Sequence, residues 1–483
     1  MRTPSLLLVL PLSLLACGTD APSPTEVRGR ISDDLGNVLR ESEAAAERSS
    51  TALPLGAAFS MLERFVPAET TALAKRSAFR AIPLSALPLL FKNDIQLESV
   101  DEPAEPSATD ELIEELTTTL FTDANHVGDG IYKIPADYAC TEETFNDDGS
   151  ITTGLDAECV QQWETIQLRV RVATDDDTLT LALQVGANHD EPLRFALTHT
   201  SLAMTLDLDE TGQAIAALAP VFGESAPNAS LAGEVTGTLE VLGAQSARVA
   251  LTIDRPISVA FAEAGIALDG PDAFRFSSAA ANVAAVSFDG VAGTGSVVID
   301  LGETRAHVPG ESSDFDEASP AIDFDLPGAS VVAMLAADQP LRLTHVALGN
   351  RTTTLSVNGQ QAVAIDVNPD DGRAFGAILS HDASTGRDTI EVSPLLDVRT
   401  TVDHAALGDD APVYDVTRVL VTGTLRSGAE SDRIEVISGA FSLTTNPAEF
   451  GFSATTGQCV TSTLVEDASS GELYDQWVVD GCN

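Results

Sequence analysis

Residues 165–185 read TIQLRVRVATDDDTLTLALQV. Apolar side chains occupy every second position, at Ile166, Leu168, Val170 and Val172, and again at Leu179, Leu181, Leu183 and Val185. A period of two places each set on one face of an extended strand. The acidic stretch between them, Thr174–Asp177, has the residues of a turn. Folding there sets Val172 opposite Leu179, Val170 opposite Leu181, Leu168 opposite Leu183 and Ile166 opposite Val185. The other side pairs Arg171 with Thr180 and Gln167 with Gln184. The stretch reads as an antiparallel hairpin with one apolar and one wet face.

The pattern recurs to the C-terminus. EVTGTLEVLGAQSA precedes a second alternation at Val249, Leu251 and Ile253. LSVNGQQAVAI carries Asn358-Gly359, a strong hairpin signal. AFGAILSHDASTGRDTIEV turns at Asp382–Gly386, and residues 417–445 read as a meander. QAIAALAPVF and AFAEAGIAL carry helical spacing instead. No fixed repeat length emerges, which argues against a solenoid.

Upstream the period is 3.6. Ile31, Leu35, Val38 and Leu39 form one stripe, with Ser32 or Asp33 available as a cap. Ala58, Phe59, Leu62, Phe65 and Val66 form a second, ended by Pro67. Leu112, Ile113, Leu116 and Leu120 form a third, behind Ser107 and Asp110 at capping-box spacing. The expected fold is therefore mainly β: a small helical N-terminal region followed by a large, predominantly antiparallel β body, sandwich-like or an extended twisted sheet. The segments are a signal peptide at 1–16, a tether at 17–30, a helical region with a Pro- and acid-rich linker at 31–125, and antiparallel β regions at 126–309 and 321–483. The polar stretch Gly310–Pro320 divides the last two, which are separate domains or one continuous sheet system.

The first segment carries an address. After Met1-Arg2, an apolar run extends from Leu6 to Ala16. Eleven residues at about 1.5 Å each fall far short of the ~30 Å hydrocarbon core of a bilayer. A positive start, a short apolar run and a small residue at its end describe a secretory signal. Leu14-Leu15-Ala16-Cys17 resembles the lipobox of bacterial lipoproteins. The resemblance covers the first 17 residues. It implies lipidation of the Cys17 thiol and cleavage before it. Gly18 in place of Asp resembles the outer-membrane pattern. Two or three acyl chains, at about 0.8 kcal/mol per buried CH2, hold a protein stably on a membrane.

Cys140, Cys159, Cys459 and Cys482 remain, an even number that suits an oxidising compartment. Of three connectivities, sequence proximity favours Cys140 with Cys159 and Cys459 with Cys482. The chain carries 26 Lys and Arg against 73 Asp and Glu, a net charge of −47. Such a surface repels nucleic acid and anionic lipid heads. Two Trp and four Tyr, widely spread, weaken a carbohydrate-binding reading.

Motifs for chemistry are absent from the sequence. There is no G-x-S-x-G, no G-x-G-x-x-G, no lysine after a glycine, no H-E-x-x-H and no C-x-x-C. No two of the seven histidines lie within four residues of each other. No catalytic residue and no cofactor is assigned. Asn188-His189-Asp190-Glu191 is the tightest polar cluster. Acid-rich turns supply calcium candidates at Asp207, Asp209, Asp366 and Asp370. The stretch from Asp207 starts like an EF-hand loop but has Leu218 where a bidentate Glu is needed. These acids are also ordinary turn residues.

The expected function is that of a lipid-anchored cell-envelope protein, a non-enzymatic scaffold or interaction surface. The rivals are a periplasm-facing carrier of lipid or another amphiphile, and a hydrolase with dispersed residues. The expected partners are the membrane, through the anchor, and an envelope protein or small amphiphile. Oligomeric state is left open.

Overall fold

A computed structural model describes residues 21–52, 108–136, 140–145, 151–219, 228–310, 319–336, 339–348, 352–368, 374–382, 384–407, 416–427, 433–446, 451–466 and 473–482. The second helical stripe, the capping Ser107 and the signal segment lie outside them.

The first helix runs through Pro24–Arg30, a π-type turn at Ile31–Leu35, and Gly36–Ala52. It starts before the expected cap, inside the stretch read as a tether. The Ser23 hydroxyl accepts from the Glu26 N–H, and Pro24, which has no N–H to satisfy, opens the helix. Val27, Ile31, Leu35 and Val38 are its buried stripe. The third predicted stripe forms Ala108–Glu115 and a π-type turn at Leu116–Leu120, with Ile113 and Leu120 buried and Leu112 exposed.

The body is mainly β and antiparallel. β1 (His126–Gly128) and β2 (Ile131–Lys133) make the first hairpin. β3 (Thr141–Phe145) and β4 (Ile151–Leu155) form a separate two-stranded ribbon, followed by a helix at Ala157–Ile166. β5 (Arg169–Asp175) pairs with β2, and β6 (Thr178–Val185), β7 (Asp190–Leu197), β8 (Ser201–Asp207), β9 (Ala229–Gly243) and β10 (Ser246–Phe261) each pair with the strand before. A helix at Leu208–Leu218 separates β8 from β9, where QAIAAL predicted one.

The hairpin read first is present, with its register moved by two. Val172 faces Leu181, Val170 faces Leu183 and Arg171 faces Ala182. The loop is a two-residue turn, Asp176-Asp177, rather than four residues, because Asp176 adopts the left-handed conformation (φ +48°) that a short polar side chain tolerates. A slip of two preserves the faces, so Val170, Val172 and Leu179 are buried as the alternation requires. Ile166 ends the preceding helix and is not in the strand.

From β10 onward the chain is an up-and-down meander of long strands broken near their middles. β11 (Phe274–Ser278) and β12 (Ala281–Asp289) lie end to end along β10. β13 (Thr294–Leu301) and β14 (Thr304–Val308), then β15 (Ile322–Leu326) and β16 (Ala329–Ala336), repeat the arrangement. β17 (Leu341–Leu348), β18 (Thr353–Val357), β19 (Gln360–Val367) and β20 (Phe375–Asp382) carry it to β21 (Arg387–Val402), which spans both halves. β22 (Val416–Ser427), β23 (Arg433–Asn446), β24 (Phe452–Thr455), β25 (Gln458–Glu466) and β26 (Leu473–Gly481) complete a sheet of 24 strands among the described residues. β14 pairs with β15, so the sheet continues past Gly310–Pro320.

The breaks line up across neighbouring strands. They fall between Ile253 and Ser258 in β10, at Gly302, at Gly328, between Val392 and Leu396 in β21, and at the facing glycines Gly423 and Gly439. Slips of this kind bend a strand. At the C-terminal end the two halves meet: Leu379, Val392 and Val436 from one half join Phe441, Leu443 and Phe452 from the other in a single buried cluster. Phe441 and Phe452 touch edge to face at 4.9 Å.

Asn358 (φ +51°) and Gly359 (φ +76°) make the predicted tight turn. AFAEAGIAL is not helical. Ala260 and Phe261 stay in β10, and the remainder forms the loop to β11, whose Glu263 and Ile266 carbonyls accept from the Asn228 side chain. The turn at Asp382 is held by that residue's own carboxylate, which accepts from the Ser384 N–H and hydroxyl and the Thr385 hydroxyl at 2.6–2.9 Å. These bonds, Ser384 foremost, lower the Asp382 pKa from 3.8 to about 2. A lowered pKa means that the carboxylate's contribution to the turn is complete above pH ~4 and is lost as pH falls through about 2. An NMR titration of this carboxyl should centre near 2, and Ser384→Ala should move the midpoint toward 3.8. A midpoint already at 3.8 in the unaltered protein would show that the turn's hydrogen bonds do not act on this carboxyl.

Candidate functional site

The predicted cysteine pairs are joined: Cys140 with Cys159 and Cys459 with Cys482. The first ties the β3–β4 ribbon to the helix at Ala157–Ile166, and the second ties the start of β25 to the residue after β26. Cys17 lies outside the described residues.

Three of the four calcium candidates, Asp207, Asp209 and Asp366, have partners within the protein. Asp207 caps the helix at Leu208–Leu218, accepting from the N–H groups of Asp209 and Glu210 at 3.0 and 3.1 Å. Arg255, from the break in β10, places its guanidinium 2.9 Å from Asp207 and 2.7 Å from Asp209. Arg194 joins through Glu234 at 2.9 Å. The hydrogen bond from Arg255 lowers the Asp209 pKa. The stretch that begins like a calcium loop is therefore a helix start whose carboxylates face arginine. Asp366 accepts from the Thr352 hydroxyl at 2.6 Å, and Asp370 lies outside the described residues. Among the described residues no group of three or more His, Cys, Asp or Glu could hold a metal.

Asn188-His189-Asp190-Glu191 leads into β7. His189 occupies the turn with φ +58°. Glu191 takes a two-pronged bond from Arg171 at 2.7 and 2.8 Å and another from Gln184 at 2.9 Å. The hydrogen bond from Arg171 is the main cause of the lowered Glu191 pKa. The sequence hid these partners, because Arg171 and Gln184 reach Glu191 only across paired strands.

Three His–Asp pairs bear on the hydrolase reading, one of them His199, whose Nδ1 lies 3.2 Å from Asp34. His381 Nδ1 lies 2.6 Å from Asp388, a fully buried carboxylate. The nearby Ser427 hydroxyl bonds the main chain of Asp388, not the imidazole. His307 has both ring nitrogens occupied, Nδ1 by Asp323 at 2.7 Å and Nε2 by the Pro271 carbonyl at 2.8 Å. A nucleophilic triad needs a hydroxyl on the nitrogen opposite the carboxylate. Among the described residues none of these rings makes that contact.

The remaining feature is a surface. On one face of β8, β9 and β10 the register aligns Leu202, Leu239 and Val249; Met204, Gly237 and Leu251; and Leu206, Val235 and Ile253. Residues directly opposite share a face. Met204, Leu206, Val249 and Leu251 are 37–55% exposed, a connected apolar strip rather than scattered side chains. A side chain built at Gly237, in its middle, would meet nothing within 4 Å. Helices cover the same face on either side. Ala45 of the first helix packs on Ala247 and Phe288, and Ala214 of the Leu208–Leu218 helix packs with Ile166 and Val185. The opposite face is polar, with Thr205 and Thr236 hydroxyls 3.0 Å apart and the Arg194–Glu234 pair beside them.

No family model matches this chain, and no curated protein matches it. No helix among the described residues is long and apolar enough to cross a membrane.

Proposed function

We propose that this chain is a lipid-anchored protein of the bacterial cell envelope, held at the outer membrane through Cys17, and that it works without catalysis as an interaction surface. The lipobox resemblance at Leu14–Cys17 supports the anchor. The observation that carries the second half is the uncovered strip of Met204, Leu206, Val249 and Leu251, on a sheet face that helices cover on either side of it. A sheet face of this kind gains about 25 cal/mol for each Å2 of apolar surface that a partner removes from water. The partner favoured is an envelope protein.

The amphiphile carrier is the second reading, and the open space over Gly237 favours it. An acyl chain can lie there between Met204 and Leu251 without displacing a side chain.

A photoreactive residue at position 251, compared with one at Arg248 on the opposite face, tests both readings in intact cells. The interaction surface gives a protein adduct at 251 and none at 248. A lipid adduct at 251 transfers the function to the carrier. Equal labelling at both positions removes the strip from either account. Cys17→Ala should move the protein from the membrane to the soluble fraction; wild type that is already soluble, with Met1 retained, defeats the anchor.

A further inference from the structure

The loop 262–273 joins β10 to β11 and passes over the polar face of the sheet. Between the two lies an open groove of about 700 Å3. Its floor carries Ser258 from β10, Arg275 and Ser277 from β11, Arg305 and His307 from β14, and Asp323 and Asp325 from β15. The register explains why these side chains gather. Ser277 lies opposite both Ser258 and Arg305, and His307 lies opposite both Arg275 and Asp323.

The loop is tied down at three points. Near its start the Asn228 amide donates to the carbonyls of Glu263 and Ile266 at 3.0 and 2.7 Å. Arg275 donates to the Asp269 carbonyl at 2.8 Å. The third tie is His307, whose side chain is only 11% exposed. Its Nε2 meets the Pro271 carbonyl at 2.8 Å while its Nδ1 meets the Asp323 carboxylate at 2.7 Å. A carbonyl and a carboxylate both only accept. A neutral imidazole has one N–H and one lone pair, so it satisfies one of these partners and presents a lone pair to the other. The doubly protonated ring donates to both.

We infer that residues 262–273 are a strap over this groove, latched by doubly protonated His307 and released at the Pro271 end when the ring loses a proton. The groups around the ring are Arg275 from β11, Asp323 and Asp325 from β15, Arg305 from its own strand, and Asp269 and Asp272 from the loop. β18, the next strand beyond β15, contributes Thr354 and Ser356, which carry no charge. The ring's attachment to Asp323 outlasts its attachment to Pro271, because a carboxylate accepts a stronger, charge-assisted bond than a neutral carbonyl. Release is confined to the strap beyond Asp269, since the Asn228 amide has no charge to lose and an arginine such as Arg275 keeps its protons. Opening widens the Pro271 end of the groove, beside Ser277 and Arg305, which are exposed already.

Amide hydrogen exchange over 270–273, corrected for the intrinsic effect of pH, tests the latch. In the unaltered protein, protection should fall about fivefold or more between about pH 5.5 and 8, while β5 and β6 stay unchanged. Asp323→Asn is the decisive variant. An Asn side chain can donate to the Nδ1 lone pair, which leaves Nε2–H of the neutral ring free to hold Pro271. That variant should keep the strap protected at both pH values. His307→Ala should leave it unprotected at both, with β5 and β6 protection reporting whether the fold survives. Equal protection at both pH values in the unaltered protein overturns the inference. So does a pH response that persists unchanged in Asp323→Asn.

Discussion

Arg418→Met is expected to lower stability by about 3–5 kcal/mol, seen as a fall in the urea midpoint, because it strands a buried carboxylate. Asp397 is 2% exposed, in the second half of β21. Arg418 grips it with two bonds, Nε to Oδ1 at 2.8 Å and Nη2 to Oδ2 at 2.5 Å. The main chain there is held as well: the Asp397 N–H donates to Asn368 Oδ1 at 2.7 Å, and the Asn368 N–H donates to the Asp397 carbonyl at 2.7 Å. The carboxylate therefore cannot swing out to water when its partner goes. The two single variants should differ. Arg418 is 37% exposed, so Asp397→Leu leaves a cation that reaches solvent and costs less. The double variant, Asp397→Leu with Arg418→Met, should recover most of the loss, since an apolar pair of similar volume removes the stranded charge. A double variant no more stable than Arg418→Met alone would show that the cost is lost packing and not an unpaired charge.

The second large effect belongs to Gly439. It faces Gly423 across β22 and β23, and both have positive φ, +84° and +77°. A Cβ at Gly439 would lie 2.1 Å from the Thr422 carbonyl oxygen, and one at Gly423 would lie 2.4 Å from that of Ser438. Gly457 has the same φ of +84° with nothing within 4 Å of its would-be Cβ. Comparing Gly439 with Gly457 separates two costs. Gly457→Ala meets only the left-handed backbone penalty, about 1–2 kcal/mol. Gly439→Ala must in addition push neighbouring strands apart in the middle of the sheet, and about 3 kcal/mol or more in total is expected from the hydrogen bonds lost. Equal losses at the two sites would mean that the strands separate there without cost.

Much of the local architecture was legible in the sequence. Val170, Val172, Leu179 and Leu183 alternate because one face of their hairpin is apolar, and no tertiary information is needed to see it. Asn358-Gly359 and the Asp382 turn were equally plain, since their residue types fit the backbone angles they adopt. The pairing of Cys459 with Cys482 follows from a hairpin that returns the chain to its start. Asp176 shows the limit. A four-residue loop and a two-residue turn give the same apolar face, so alternation alone does not choose between registers that differ by two.

The sites were less legible, because their members are brought together by pairing between distant strands. Arg255 reaches Asp207 and Asp209 across 48 and 46 residues, and without it these acids resemble a cation loop. His307 gains Pro271 through a loop whose sequence suggested a helix. The alternation at Val249, Leu251 and Ile253 marked one strand face, and of that face Ile253 is buried while Val249 and Leu251 are exposed.

The sequence by itself determined the class of the fold, the faces of its clearest strands and the turns at Asn358-Gly359 and Asp382, and it favoured the cysteine partners. Each depends on residue type within a hairpin's reach, where periodicity and turn chemistry act directly. Only the tertiary structure decided that the strands join one creased sheet, that helices cover its apolar face in some places and leave Met204, Leu206, Val249 and Leu251 open, and which acid meets which arginine. Those outcomes depend on how far each strand runs before it slips and on what packs above it. They are set by the balance of packing and pairing over the whole sheet, which no single stretch of sequence contains.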